Sequence, residues 1–258
     1  MNVGEQLRSR VLGREWLAGT FINLGSSITA EIAGRCGFDW LMLDYEHGPG
    51  SDESLLHQLQ AIRGTTAAAV VRIAANEAPR FKRVLDLGAD GVMVPYVNTA
   101  AEAIAAVAAS RFPPHGVRGV SKFNRAAGFG QGFEDYYANA HHRVTLMAQI
   151  ETPEAVSNVE AIAAVDGVDV LFLGPLDLST NLGIQSNFTH PLFVEAQQRV
   201  AVACREAGKA GGILLANAGQ IPLARDLGYT VIALGSDGGA VSSGLREYAR
   251  LLKSPATS

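Results

Sequence analysis

Short apolar runs recur along the chain, each followed by a segment with helical spacing. The runs fall at residues 17–22, 40–44, 68–73, 92–96, 144–150, 170–174, 211–215 and 231–234. Several are apolar without interruption, the mark of parallel strands covered on both faces. Between them, Leu55, Leu56, Leu59 and Ile62 share one helical face, and Phe193, Ala196, Val200 and Cys204 form another stripe. Helix starts are also legible. Thr99 and Glu102 have capping-box spacing ahead of Ile104 and Val107. Thr152 precedes Pro153 as an N-cap before a proline at the first helical position. Eight strands alternating with helices over about 250 residues predict an α/β fold, a single (β/α)8 (TIM) barrel. No linker divides the chain, so the barrel domain is expected to span 1–258. The rival, a doubly wound open sheet, ordinarily carries G-x-G-x-x-G after an early strand, and none is present.

Residues 111–132 break the rhythm. They hold Pro113, Pro114, Phe123, Phe129 and several glycines. The stretch is too long for an ordinary connection and predicts a functional loop or an interface arm.

Composition narrows the function classes. A chain that is 48% hydrophobic with a net charge of −4 is not disordered over most of its length. No Lys/Arg cluster suggests nucleic acid or an acidic membrane as partner. No apolar run approaches the roughly 18 residues needed to span a bilayer. Residues 1–13 carry charges throughout and lack the apolar stretch of a signal peptide. Cys36 and Cys204 sit in helix-like segments. These features lead us to expect a cytoplasmic, disulfide-free protein.

In a barrel the chemistry gathers where strands end. Here the strands are apolar until their last residues and then turn charged: Asp44-Tyr45-Glu46-His47-Gly48-Pro49, then Arg72, then Gln149-Ile150-Glu151, then Gly174-Pro175-Leu176-Asp177, then Ser236-Asp237. So many charges must meet solvent, each other or a ligand. Glu151 and Asp177 end neighbouring strands, and two oxygen donors with room for water suit a hard divalent cation such as Mg2+ or Mn2+. Local capping or ion pairing is the alternative for each. No His/Cys set has structural-zinc spacing. His47 is the best placed of six histidines for proton transfer, although most histidines are packing or surface residues. The His141-His142 pair precedes the fifth strand, at the opposite end of the barrel. Arg72 could clamp a carboxylate or an oxyanion, or simply pair with Asp44 or Glu46, and both roles can hold together. The four lysines, Lys82, Lys122, Lys209 and Lys253, all miss the catalytic ends of the strands, which disfavours Schiff-base chemistry. A metal-stabilised enolate is the remaining route to carbon–carbon chemistry.

Taken together, Gly37-Phe38-Asp39-Trp40, Asp44-Tyr45-Glu46-His47-Gly48-Pro49, Val71-Arg72-Ile73, Leu85-Asp86-Leu87-Gly88-Ala89, Val94-Pro95-Tyr96-Val97, Phe112-Pro113-Pro114-His115-Gly116-Val117-Arg118-Gly119, Gln149-Ile150-Glu151-Thr152 and Gly174-Pro175-Leu176-Asp177-Leu178-Ser179 resemble, in order, the HpcH/HpaI-type class II pyruvate aldolases. That family includes 4-hydroxy-2-oxoheptanedioate and 2-dehydro-3-deoxyglucarate aldolases. The resemblance runs from about Trp16 to Asp237. It implies a metal-dependent barrel, usually a homo-hexamer built as a dimer of trimers, with a C-terminal helix exchanged between subunits. It implies a divalent metal (Mg2+, Mn2+ or Co2+) on Glu151 and Asp177, and no organic cofactor. It implies a pyruvate-type donor held by Arg72, Gln149 and the backbone from Gly174 to Asp177, with Asp44 and Glu46 behind. It implies His47 as base, acting through a water and paired with Asp86 of an adjacent subunit. Without such a role Asp86 would be puzzling, since a carboxylate is mildly unfavourable at a helix C-terminus. Leu214 matches a position lining the aldehyde pocket. Leu176 departs from the pattern, because relatives often carry Ala or Asn there.

The expected activity is reversible aldol cleavage of a 4-hydroxy-2-oxo acid into pyruvate or hydroxypyruvate plus an aldehyde. Two alternatives stand beside it. A malyl- or citramalyl-CoA lyase would need positive charge for CoA phosphates, and a non-catalytic 2-oxo-acid-binding barrel would be expected to lack a ligand or the base.

Overall fold

The computed structural model describes residues 2–253. Eight parallel strands close into a barrel in chain order: β1 (Leu17–Ile22), β2 (Trp40–Asp44), β3 (Ala68–Arg72), β4 (Gly91–Val94), β5 (Thr145–Ile150), β6 (Val170–Leu173), β7 (Ala210–Leu215) and β8 (Tyr229–Ser236). Each run expected from the sequence is a strand, with its ends within two residues of the expected ones. The largest differences are at β4 and β8. β4 stops at Val94, before Pro95 and the left-handed backbone of Tyr96. β8 begins early because Tyr229 is buried, its hydroxyl donating to the Gln197 carbonyl.

Helices follow the strands: α2 (Ser27–Gly34), α3 (Asp52–Ile62), α4 (Ala78–Asp86), α5 (Ala100–Ser110), α6 (Phe133–Arg143), the short α7 (Pro153–Ser157) and α8 (Val159–Ala163), α9 (Pro175–Asn181), α10 (Pro191–Glu206), α11 (Ile221–Leu227) and α12 (Asp237–Lys253). The capping box at Thr99 and Glu102 forms, and Thr152 caps α7. The expected stripes face inward, except that Leu56 is half-buried and Ile104 exposed.

Period-two alternation sorts the strand residues into two cores. Leu41, Leu43, Ala69, Val71, Ala148, Leu171 and Leu173 point outward and pack under the helices. Leu17, Phe21, Trp40, Met42, Val70, Met93, Met147, Val170 and Phe172 fill the interior, which α1 (Val3–Leu12) closes from below with Leu7 and Val11. The interior is close-packed: a Cβ on Gly19 would sit 2.3 Å from the Trp40 ring, so that position has room for hydrogen only.

Residues 111–132 are anchored rather than loose. Phe112 and Ala127 form a small third core with Tyr136 and Ala140 of α6. The buried Arg118 guanidinium lies 4.3 Å from the Phe112 ring centre and donates to Tyr136 Oη (3.0 Å) and Asp86 Oδ1 (2.6 Å). Phe123 and Phe129 remain exposed. No helix among the described residues is long and apolar enough to cross a membrane.

Candidate active site

The same alternation that fills the interior delivers polar groups to its upper layer. In β2, Trp40 and Met42 point in, and so does Asp44, two residues on. In β3, Ala68 and Val70 are followed by Arg72, and in β5, Met147 is followed by Gln149 and then Glu151. Asp44 and Arg72 are register partners on adjacent strands, so their side chains meet. Arg72 Nε and Nη2 fork onto both Asp44 oxygens (3.0 and 2.8 Å), and Nη1 lies 3.1 Å from Glu46 Oε2. Burial opposes the charge on Asp44, but the Arg72 fork outweighs it and holds the carboxyl below the usual range. Asp44 Oδ1 also accepts the backbone N–H groups of Glu46 and His47. That fixes the turn on which the largely exposed His47 imidazole stands, 3.7 Å from Glu46.

Glu151 is 1% exposed. Its Oε1 accepts the Tyr96 N–H (2.8 Å) and its Oε2 the Gln149 amide (2.5 Å). Burial, reinforced by the charges of Asp177 and Glu46, pushes its carboxyl up to about 8. Tyr96 bridges to the second carboxylate, its hydroxyl donating to Asp177 Oδ1 at 3.4 Å. The left-handed backbone at Tyr96 (φ 51°) costs a non-glycine residue about 1–2 kcal/mol. It is this turn that aims the Tyr96 N–H at Glu151. The sequence gives little sign of Tyr96, because an aromatic after proline at a strand end reads as packing. Gly174 lets the two strands' residues crowd together: a Cβ there would lie 2.6 Å from Glu151 Oε2 and 2.8 Å from Gln149 Nε2.

These groups open onto a cavity of about 680 Å3 at the strand C-terminal end. His47, Asp44, Arg72, Gln149, Gly174, Leu176, Asp177 and Leu214 all line it. Glu46 and Glu151 stand directly behind through Arg72 and Gln149. Asp86 does not join them within one chain. It ends α4, which runs back toward the strand N-termini, and it pairs there with Arg118. That buried cation offsets the unfavourable placement of a carboxylate at a helix C-terminus.

The donor set fits a divalent cation. Three acidic groups crowd one another beside a single guanidinium already paired, and the buried Gln149 Oε1 has no hydrogen-bond partner. Among the described residues no cluster of three or more His, Cys, Asp or Glu is arranged as a metal cage. Glu151 and Asp177 would leave the other positions to water and ligand, as hard oxygen-seeking cations allow.

The family model for HpcH/HpaI aldolase/citrate lyase matches residues 17–243. The chain belongs to that family. Its barrel superposes, with a TM-score of 0.92 and 36% identity, on an HpcH/HpaI aldolase/citrate lyase family protein from Burkholderia cenocepacia, covering 97% of this chain and 100% of that one. An HpcH/HpaI aldolase from Desulfitobacterium hafniense gives a TM-score of 0.90 at 26% identity, with 98% of each chain covered. A 5-keto-4-deoxy-D-glucarate aldolase from Klebsiella pneumoniae is 40% identical over 235 residues, 91% of each chain. This HpcH/HpaI family member is an aldolase-type lyase.

Proposed function

We propose that the chain catalyses metal-dependent, reversible aldol cleavage of 4-hydroxy-2-oxo acids to pyruvate, or hydroxypyruvate, and an aldehyde. The observation that carries this reading is the convergence of Glu151, Asp177, Arg72, Gln149 and His47 on one cavity. Glu151 and Asp177 would hold Mg2+, Mn2+ or Co2+. Such a cation, when bound, supplies Lewis-acid charge that favours the enolate form of the donor. Arg72 adds fixed positive charge for the donor's carboxylate and keto oxygen, and it costs no reorganisation because Asp44 and Glu46 already hold it. The first-turn N–H groups of α9, which have no intrahelical acceptor, suit the donor's carboxylate. His47 takes the C4 hydroxyl proton in cleavage, directly or through a water, and returns it in condensation. Its exposure suits proton exchange with solvent. Asp86 would assist His47 only if a second copy brings α4 to the mouth, and we infer such an assembly, a hexamer formed as a dimer of trimers.

The test is direct. Glu151→Ala and Asp177→Ala should each abolish Mn2+ binding measured by calorimetry and stop deuterium uptake into the pyruvate methyl group. His47→Ala should keep Mn2+ binding and slow that uptake by roughly 100-fold or more. Near-normal exchange by either carboxylate variant in metal-free buffer would overturn the proposal.

A further inference from the structure

We propose that Tyr96 is a positioning residue for the cation site, a single residue that organises both carboxylates from outside the cavity. The inference rests on the metal-dependent reading above and concerns what holds Glu151 and Asp177 in place. The two are held unequally. Glu151 is buried, accepts from the Tyr96 N–H and the Gln149 amide, and is walled in by Gly174. Asp177 is half-buried in the first turn of α9. Among the described residues, the one donor to its side chain is the Tyr96 hydroxyl, 3.4 Å from Oδ1. A carboxylate with no donor samples several rotamers, and a cation that needs one of them must offset the cost of ordering it. The phenol narrows that choice in advance. The bond is long, so it biases Asp177 without tying up the oxygen, and it leaves Oδ2 open.

The placement of the phenol follows from the backbone beneath it. Tyr96 has φ 51°, and its neighbours pin it there. The Val97 N–H donates to the Gln149 carbonyl (3.3 Å) and the Asn98 amide to the Tyr96 carbonyl (3.2 Å). Asn98 is fixed in turn, its Oδ1 accepting the Thr152 hydroxyl and its carbonyl the Asn158 amide. A costly conformation persists only where its surroundings over-determine it, and such residues cluster at functional sites. Here the one turn does two things. It aims the N–H at Glu151 on β5, and it sends the ring from the end of β4 past β5 to Asp177, which follows β6. Tyr96 is not part of the cavity lining, so it acts through the carboxylates rather than on the substrate. A phenylalanine in its place would keep the ring and the N–H that serves Glu151. It would lose only the hold on Asp177.

Tyr96→Phe in the full-length chain tests this, with Mn2+ as the probe. Calorimetry should show the Kd for Mn2+ raised by about tenfold over wild type, the lower end of what losing an outer partner of a metal ligand costs. The Mn2+ concentration that gives half-maximal deuterium exchange into pyruvate should rise by the same factor. The exchange rate at saturating Mn2+ should fall by a smaller one. A merely structural role would do the reverse, lowering the plateau and leaving half-saturation where it was. Unchanged Mn2+ affinity, or a lowered plateau at an unchanged half-saturating concentration, therefore overturns the inference and leaves the aldolase reading standing. A wild-type chain that binds no Mn2+ removes the metal-dependent reading and this inference with it.

Discussion

Asp90 is a half-buried carboxyl that the site does not use. Its Oδ2 accepts the Ala69 N–H, and burial pushes it up to about 6 against the pull of that bond and of Arg125. Because its folded pKa lies above the unfolded value, the fold favours the neutral form, and stability falls as pH rises from about 4 through 6. The full cost, up to about 3 kcal/mol, is present above that window. Asp90→Asn removes the charge. The stability difference between variant and wild type, read from urea unfolding, should therefore grow in the variant's favour between pH 4 and pH 7. A difference flat with pH would show that Asp90 ionises at no cost. At this scale the sequence marks residues by position and cannot mark partners. Asp44, Arg72 and Glu151 are legible because charge at the end of an apolar run needs a reason. The Arg118 partner of Asp86 and the Tyr96 bridge are not, since each depends on a contact between segments more than thirty residues apart or on one left-handed backbone angle.

At the level of elements, the barrel is readable because strands covered on both faces must be apolar throughout, and helices covered on one face must be striped. The 111–132 segment escapes that logic. Its core of Phe112, Ala127, Tyr136 and Ala140 draws on two stretches with no shared period. The β5–β6 pair shows how closely elements can be matched. Gly174→Ala would drive a methyl group into Glu151 and the Gln149 amide, both nearly buried. We expect that variant to fold, with β6 intact by circular dichroism, yet to bind Mn2+ at least about tenfold more weakly, as expected when a carboxylate ligand is moved off position. Unchanged Mn2+ affinity in calorimetry would mean that Glu151 can shift without consequence. Removal of either member of the buried Asp44–Arg72 pair acts across elements too, since it strands a charge between β2 and β3, and removal of Asp44 also unties the His47 turn.

For the molecule as a whole, α12 is the element that a single chain leaves incomplete. None of its residues is buried, yet Val241, Leu245, Tyr248 and Leu252 recur at helical spacing and are all exposed. A helix of 17 residues packed on its own chain only at its first turn is marginal in water. The stripe therefore accords with the proposed assembly. Leu245→Glu combined with Tyr248→Glu should convert the species seen in sedimentation velocity to a smaller one, with faster amide exchange confined to α12. An unchanged sedimentation coefficient would place the contacts elsewhere. The first residue of this helix also reaches inward, since Asp237 ties Asn23 and Thr29 together beside the cavity. One rim of the cavity is thus moored to the segment on which the proposed assembly would rest. Diluting the protein until that segment melts would slacken the mooring, so turnover per chain should decline at nanomolar concentrations even though the barrel itself stays closed.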